Sequence, residues 1–131
     1  MSDVEEIQKE IDKLYYWDAY ILKLETTAFG DKVELVYHDS DEEGVKYIFK
    51  ECYDVKLEHD ITYTKDLDYE KLKLGQIPYY IQNVKVEKQE REGKELYQFE
   101  IDAWPMKAQI LCRKFDASIV SVKELLNKFE K

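Results

Sequence analysis

The chain has 131 residues, enough for one domain that buries most of its apolar surface without disulfides or a structural metal. Its 29 acidic and 20 basic side chains leave a formal net charge of −9, which opposes nonspecific binding to nucleic acid or to an anionic membrane and makes a basic protein the natural partner. No stretch approaches the ~20 apolar residues of a membrane-spanning helix, and the acidic start Met1-Ser2-Asp3-Val4-Glu5-Glu6 lacks the apolar segment of an export signal, so a cytoplasmic location is expected.

Ser2-Asp3-Val4-Glu5 has the spacing of a capping box, and Val4, Ile7, Ile11 and Leu14 recur at three- and four-residue intervals. Together they predict an amphipathic helix that ends near Tyr16. Tyr20, Leu22 and Leu24 then alternate with Ile21, Lys23 and Glu25, Phe29-Gly30-Asp31 supplies a turn, and Val33, Leu35 and Tyr37 mark a returning strand. The acidic segment 39–44 makes a second turn, followed by a long strand over residues 45–58 that bends near Tyr53-Asp54. Residues 59–66 carry no clear pattern. Asp68 can cap a short helix through Leu74, with Gly75 at its C-terminal end and Pro78 barring continuation.

Residues 79–87, 94–103 and 106–120 read as three more strands, joined at Glu90-Arg91-Glu92-Gly93 and at Trp104-Pro105, with the last interrupted near Asp116. Ser121-Val122-Lys123-Glu124 repeats the capping-box spacing before a closing helix with Val122, Leu125, Leu126 and Phe129 on one face. A faint echo runs through this order. Leu22-Lys23-Leu24-Glu25 returns as Val84-Lys85-Val86-Glu87, and Tyr53-Asp54 returns as Phe115-Asp116 at the same offset. The expected fold is α+β: a single domain with a mostly antiparallel sheet of about six strands, two related three-strand halves, and helices at both ends. Whether the halves form one sheet or two stays open at this level.

Little is left over for catalysis. Asp39-Ser40-Asp41-Glu42-Glu43-Gly44 begins like a calcium-binding loop, but the twelfth position, which must supply a bidentate carboxylate, is Lys50, and the flanks read as strands. His38-Asp39 and His59-Asp60 are neighbours in sequence, so on a strand each pair points to opposite faces and cannot act as an oriented base. Nucleophile elbows, His-Glu-x-x-His and phosphate-cradling glycine loops are absent from the sequence. Cys52 and Cys112 lie in strand-like stretches and read as buried free thiols, without a CxxC neighbour. Neither a cofactor nor a metal site is expected.

Eleven tyrosines are many for this length, and Tyr20, Tyr47, Tyr53 and Tyr97 fall inside strand patterns as sheet residues. Tyr15-Tyr16-Trp17 makes a third aromatic cluster, for which the helix-to-strand junction offers a core explanation. Tyr79, Tyr80 and Trp104 border prolines at turns, where large amphipathic side chains anchor interfaces. The expected partner-binding set is therefore Asp39, Asp41, Glu42 and Glu43 for electrostatic steering, with Tyr79, Tyr80 and Trp104 as anchors.

The entry Trp17-Asp18-Ala19, the strand at 20–25, the Gly30 turn, the strand at 33–37 and the long Val45-Lys46-Tyr47-Ile48-Phe49 … Asp54-Val55-Lys56-Leu57 stretch resemble small bacterial immunity proteins of polymorphic toxin systems. The resemblance covers residues 17–120 as an order of strands. It implies a non-catalytic protein that binds and neutralises a cognate toxin, for example a nuclease with a basic substrate groove. It carries over no functional residues, because such proteins bind unlike toxins through unlike surfaces. The alternatives are a self-associating structural or adaptor domain, which would pair an exposed sheet edge at residues 79–87 as a homodimer, and a small hydrolase built from distant carboxylates.

Overall fold

A computed structural model describes residues 3–40, 42–59 and 79–127. Its elements run in the order α1 (Asp3–Lys13), β1 (Ile21–Thr27), β2 (Lys32–Ser40), β3 (Glu43–His59), β4 (Asn83–Arg91), β5 (Lys94–Ala103), β6 (Met106–Ser121) and α2 (Lys123–Leu126). The six strands form one antiparallel sheet in the order β1-β2-β3-β6-β5-β4. Each half of the chain is thus a three-strand meander, and the two meanders join through their last strands, β3 and β6. The protein is mostly β, and its helices are minor.

The sequence echo lands on equivalent places. The segments containing Leu24 and Val86 are the two outer strands, and each carries the same short ion pair, Lys23 with Glu25 at 3.4 Å and Lys85 with Glu87 at 2.7 Å. Strand alternation puts one set of side chains inward. Val33, Leu35 and Tyr37 of β2 face across to Phe49, Tyr47 and Val45 of β3, and Phe99 and Ile101 of β5 to Ile110 and Ala108 of β6, all buried. Phe49, Phe99 and Phe115 bring the halves together with ring centroids 4.7 to 5.2 Å apart. Ile11 of α1 and Tyr16 complete this core. The Tyr37 hydroxyl donates to the carbonyl of Leu14, fixing the end of the helix over the sheet.

The two long strands decide the shape. β2 pairs only with the first part of β3, as far as Lys50, and β5 pairs only with the first part of β6, as far as Cys112. The short strands therefore lie toward opposite ends of the β3–β6 ribbon. The sheet curls until the segments leading into its outer strands meet: Tyr20 bridges Tyr80, Ile81 N–H donates to Ala19 O, and Asp18 N–H donates to Ile81 O.

Several expectations are corrected. The strand expected over residues 79–87 begins at Asn83, because residues 79–81 turn away to pair with the start of β1. β6 runs unbroken through Asp116, which pairs with Ile48; the irregularity lies instead between Cys52 and Asp54 of β3, where the bend was expected. The closing helix is four residues long, and Ser121 belongs to β6, where it pairs with Glu43 and caps nothing. Gly44 is a residue of β3 with no room for a side chain, since an added Cβ would meet Tyr37 O and Val122. The Ser2 cap, the short helix at 68–74 and Phe129 lie outside the described residues.

Candidate protein-docking surface

The acidic turn is the β2–β3 hairpin tip. Asp39 and Ser40 close β2, Glu43 opens β3, and Asp39, Glu42 and Glu43 are exposed; Asp41 lies outside the described residues. The tip is held from the far end of the sheet, where Val122 N–H donates to Glu42 O at 2.7 Å and Glu43 pairs with Ser121. The exposed carboxylates put negative charge at this tip.

The aromatic candidates share one neighbourhood reached from that tip. His38, beside Asp39, donates its backbone N–H to Tyr20 O at 2.8 Å, and Tyr20 packs edge-on against Tyr80 with centroids 6.0 Å apart. Tyr80 is exposed and Tyr79 half-buried, its hydroxyl hydrogen-bonded to His59 Nε2 at the end of β3. Gln82 N–H donates to Asp102 O at 2.7 Å, which ties the segment to the β5 end that carries Trp104. Trp104 is 56% exposed at a turn with a cis Trp104-Pro105 bond. Tyr20, by contrast, is half-buried and Tyr47 fully buried, as their strand patterns required.

The sheet edge expected to be open at residues 79–87 is occupied. Residues 79–81 pair with the start of β1. Further on, the side-chain amide of Gln8 accepts from Val86 N–H at 2.9 Å and donates to Val84 O at 3.1 Å.

Sequence reasoning missed a second surface. Phe29, fully exposed, sits between Ala28 and Gly30 in the β1–β2 turn, and all three have positive φ, 52°, 61° and 96°. Across from it, Tyr53 and Leu57 of β3 are 40% and 46% exposed. These residues line one groove of about 700 Å³ together with Asp31 and Asp54. The signal was available: phenylalanine is an unusual choice for a turn position that glycine or asparagine fills without strain.

The buried titratable groups belong to the core. Burial pushes the Tyr37 hydroxyl up to about 12 and raises those of Tyr47 and Tyr16. A hydrogen bond from Lys46, 2.7 Å away, holds the Glu34 carboxyl below its ordinary value on the opposite face of the sheet. Cys52 and Cys112 are free and face each other across β3 and β6. The Cys112 thiol stabilises the Cys52 thiolate and lowers the Cys52 value, while the same contact raises that of the more buried Cys112. Among the described residues, no three of His, Cys, Asp and Glu converge as metal ligands would, and no helix is long and apolar enough to cross a membrane.

Against known proteins, residues 3–119 match the family described as immunity protein PIM7. No curated protein matches the chain. Among solved structures, an uncharacterized protein from Neisseria gonorrhoeae is similar at 15% identity and a TM-score of 0.49, over 79% of this chain and 93% of that one.

Proposed function

This chain belongs to the immunity protein PIM7 family, and from that premise we propose that it neutralises a cognate toxin by stoichiometric docking in the cytoplasm, without catalysis. The family match over residues 3–119 carries this reading. The geometry supports it: an exposed acidic hairpin tip lies beside exposed aromatic side chains on a chain of net charge −9. Such a field draws in a basic partner and raises the association rate, while buried aromatic contacts set how slowly the complex falls apart. A nuclease toxin fits this chemistry, since its substrate groove is basic and carboxylates imitate phosphates there.

Asp39, Asp41, Glu42 and Glu43 act in steering, and Tyr79, Tyr80 and Trp104 act as anchors. Stopped-flow association with a cognate toxin domain tests the assignment. Replacing the four acidic residues by lysine lowers the association rate at least about tenfold at low salt and flattens its salt dependence. An unchanged rate removes the tip from the site.

A further inference from the structure

A strand edge without a neighbour leaves alternate N–H and C=O groups open, and proteins usually cover it. Here β1 is met by residues 79–81, and β4 carries the Gln8 amide between Val84 and Val86. Where β6 continues beyond β5, residues 113–116 face Glu6, Ile7 and Glu10 of α1 across a cleft. Among the described residues β1 beyond Ile21 and β6 beyond Cys112 also lack a second strand, and β3 has a third such stretch. β2 begins at Lys32, opposite Lys50, and the last bond on that side runs from Cys52 N–H to Asp31 O at 3.0 Å. β3 continues to His59, and among the described residues this stretch pairs with β6 alone.

The Phe29 groove runs along this edge. Its described lining has exposed apolar groups from Phe29, Tyr53 and Leu57, and its only charged residues are Asp31 and Asp54, both acidic. The edge ends at His59, which contacts Tyr79, so it is continuous with the aromatic segment.

We infer that an extended segment of the cognate toxin adds a strand along residues 53–59, packs against Phe29 and Leu57, and turns a lysine or arginine toward Asp31 and Asp54. This rests on the immunity reading. The occupant is a strand because the groups that the described residues leave open are main-chain donors and acceptors, which another main chain satisfies in register. It is a basic partner, because the charged residues of the groove's described lining are Asp31 and Asp54 and the chain as a whole carries a net charge of −9. Phe29 suits an anchor: left-handed backbone is strained for a non-glycine residue, and here it holds an aromatic ring in solvent.

The test is amide hydrogen exchange of the full chain, free and bound to its cognate toxin domain, with affinities for F29A and L57K. The outward amides in residues 53–59, those not bonded to β6, exchange fast in the free chain and at least about tenfold more slowly in the complex, and each variant weakens binding at least about tenfold while keeping the wild-type circular dichroism and melting temperature. Slow exchange of these amides in the free chain means the chain or a second copy already covers the edge, and overturns the inference. Protection confined elsewhere, with wild-type affinity in both variants, also overturns it and leaves the immunity reading standing. Failure of the wild-type chain to bind any toxin domain of the organism that encodes it removes the reading and the surface together.

Discussion

The side chain of Gln8 bonds to Val86 N–H at 2.9 Å and, through its other amide atom, to Val84 O at 3.1 Å, so a helical glutamine closes the edge of β4 as a seventh strand would. Replacing it by alanine leaves both main-chain groups to water. Q8A is expected to lower stability by about 1–2 kcal/mol in urea unfolding, with the denaturant slope unchanged. A loss within error would show that the contact adds nothing.

Gly44 permits the close approach of β3 to Tyr37 and Val122, whose Cγ1 would lie 2.7 Å from an added Cβ. Because the other obstacle is the backbone carbonyl of Tyr37, the clash cannot be relieved by a rotamer change. G44A should cost about 3 kcal/mol, read as a lower midpoint of chemical unfolding. The calcium-loop pattern would instead have made this glycine a turn residue tolerant of extra volume.

Two neighbouring tyrosines should respond oppositely to loss of their hydroxyls. Tyr37 donates to Leu14 O at 2.8 Å, whereas the buried Tyr47 hydroxyl, close to that of Tyr37, has no hydrogen-bond partner among the described residues. Y37F therefore costs about 1 kcal/mol, and Y47F is neutral or stabilising by up to about 1 kcal/mol. Thermal melts of the two variants at neutral pH decide this, and a larger loss for Y47F would contradict it.

Alkaline pH should unfold the protein. The folded value of Tyr37 is raised from 10.0 to about 12, so above pH 10 the unfolded chain loses its proton more readily than the folded one. This contribution to stability is fully present below pH 10 and is lost as pH rises through about 12; Tyr47 and Tyr16 shift in the same direction. Melting temperature should fall steeply over that window, and less steeply in Y37F. A flat profile to pH 12 would contradict the buried cluster.

Cys52 is half-buried with a lowered value, and Cys112 is buried with a raised one. Iodoacetamide near pH 8 should label Cys52 first and leave Cys112 unlabelled until unfolding. Peptide mass mapping reads this out, and equal labelling of both in the folded chain would contradict the packing.

Much of the fold was legible because its signals are local. Alternation over Val33, Leu35 and Tyr37 places the core face of β2, and the repeated Lys-x-Glu edges foreshadowed two matching meanders. What the sequence concealed depends on contacts between distant segments. Residues 79–81 have strand composition, yet pair with β1 because the sheet curls, and Ser121 has cap chemistry but is held in β6 by Glu43. The acidic tip and the exposed Tyr80 and Trp104 stand where turn chemistry put them. The Phe29 groove was hidden, because its open edge arises from the unequal lengths of β2 and β3 in their final register.

The central claim is inhibition by binding. The most direct measurement titrates the activity of the cognate toxin with the purified protein, both at concentrations well above their dissociation constant. The account predicts a linear fall to zero activity at one equivalent, with both proteins recovered chemically unchanged. Full toxin activity in the presence of several equivalents, or inactivation by a small fraction of an equivalent with covalent change in the toxin, would contradict it.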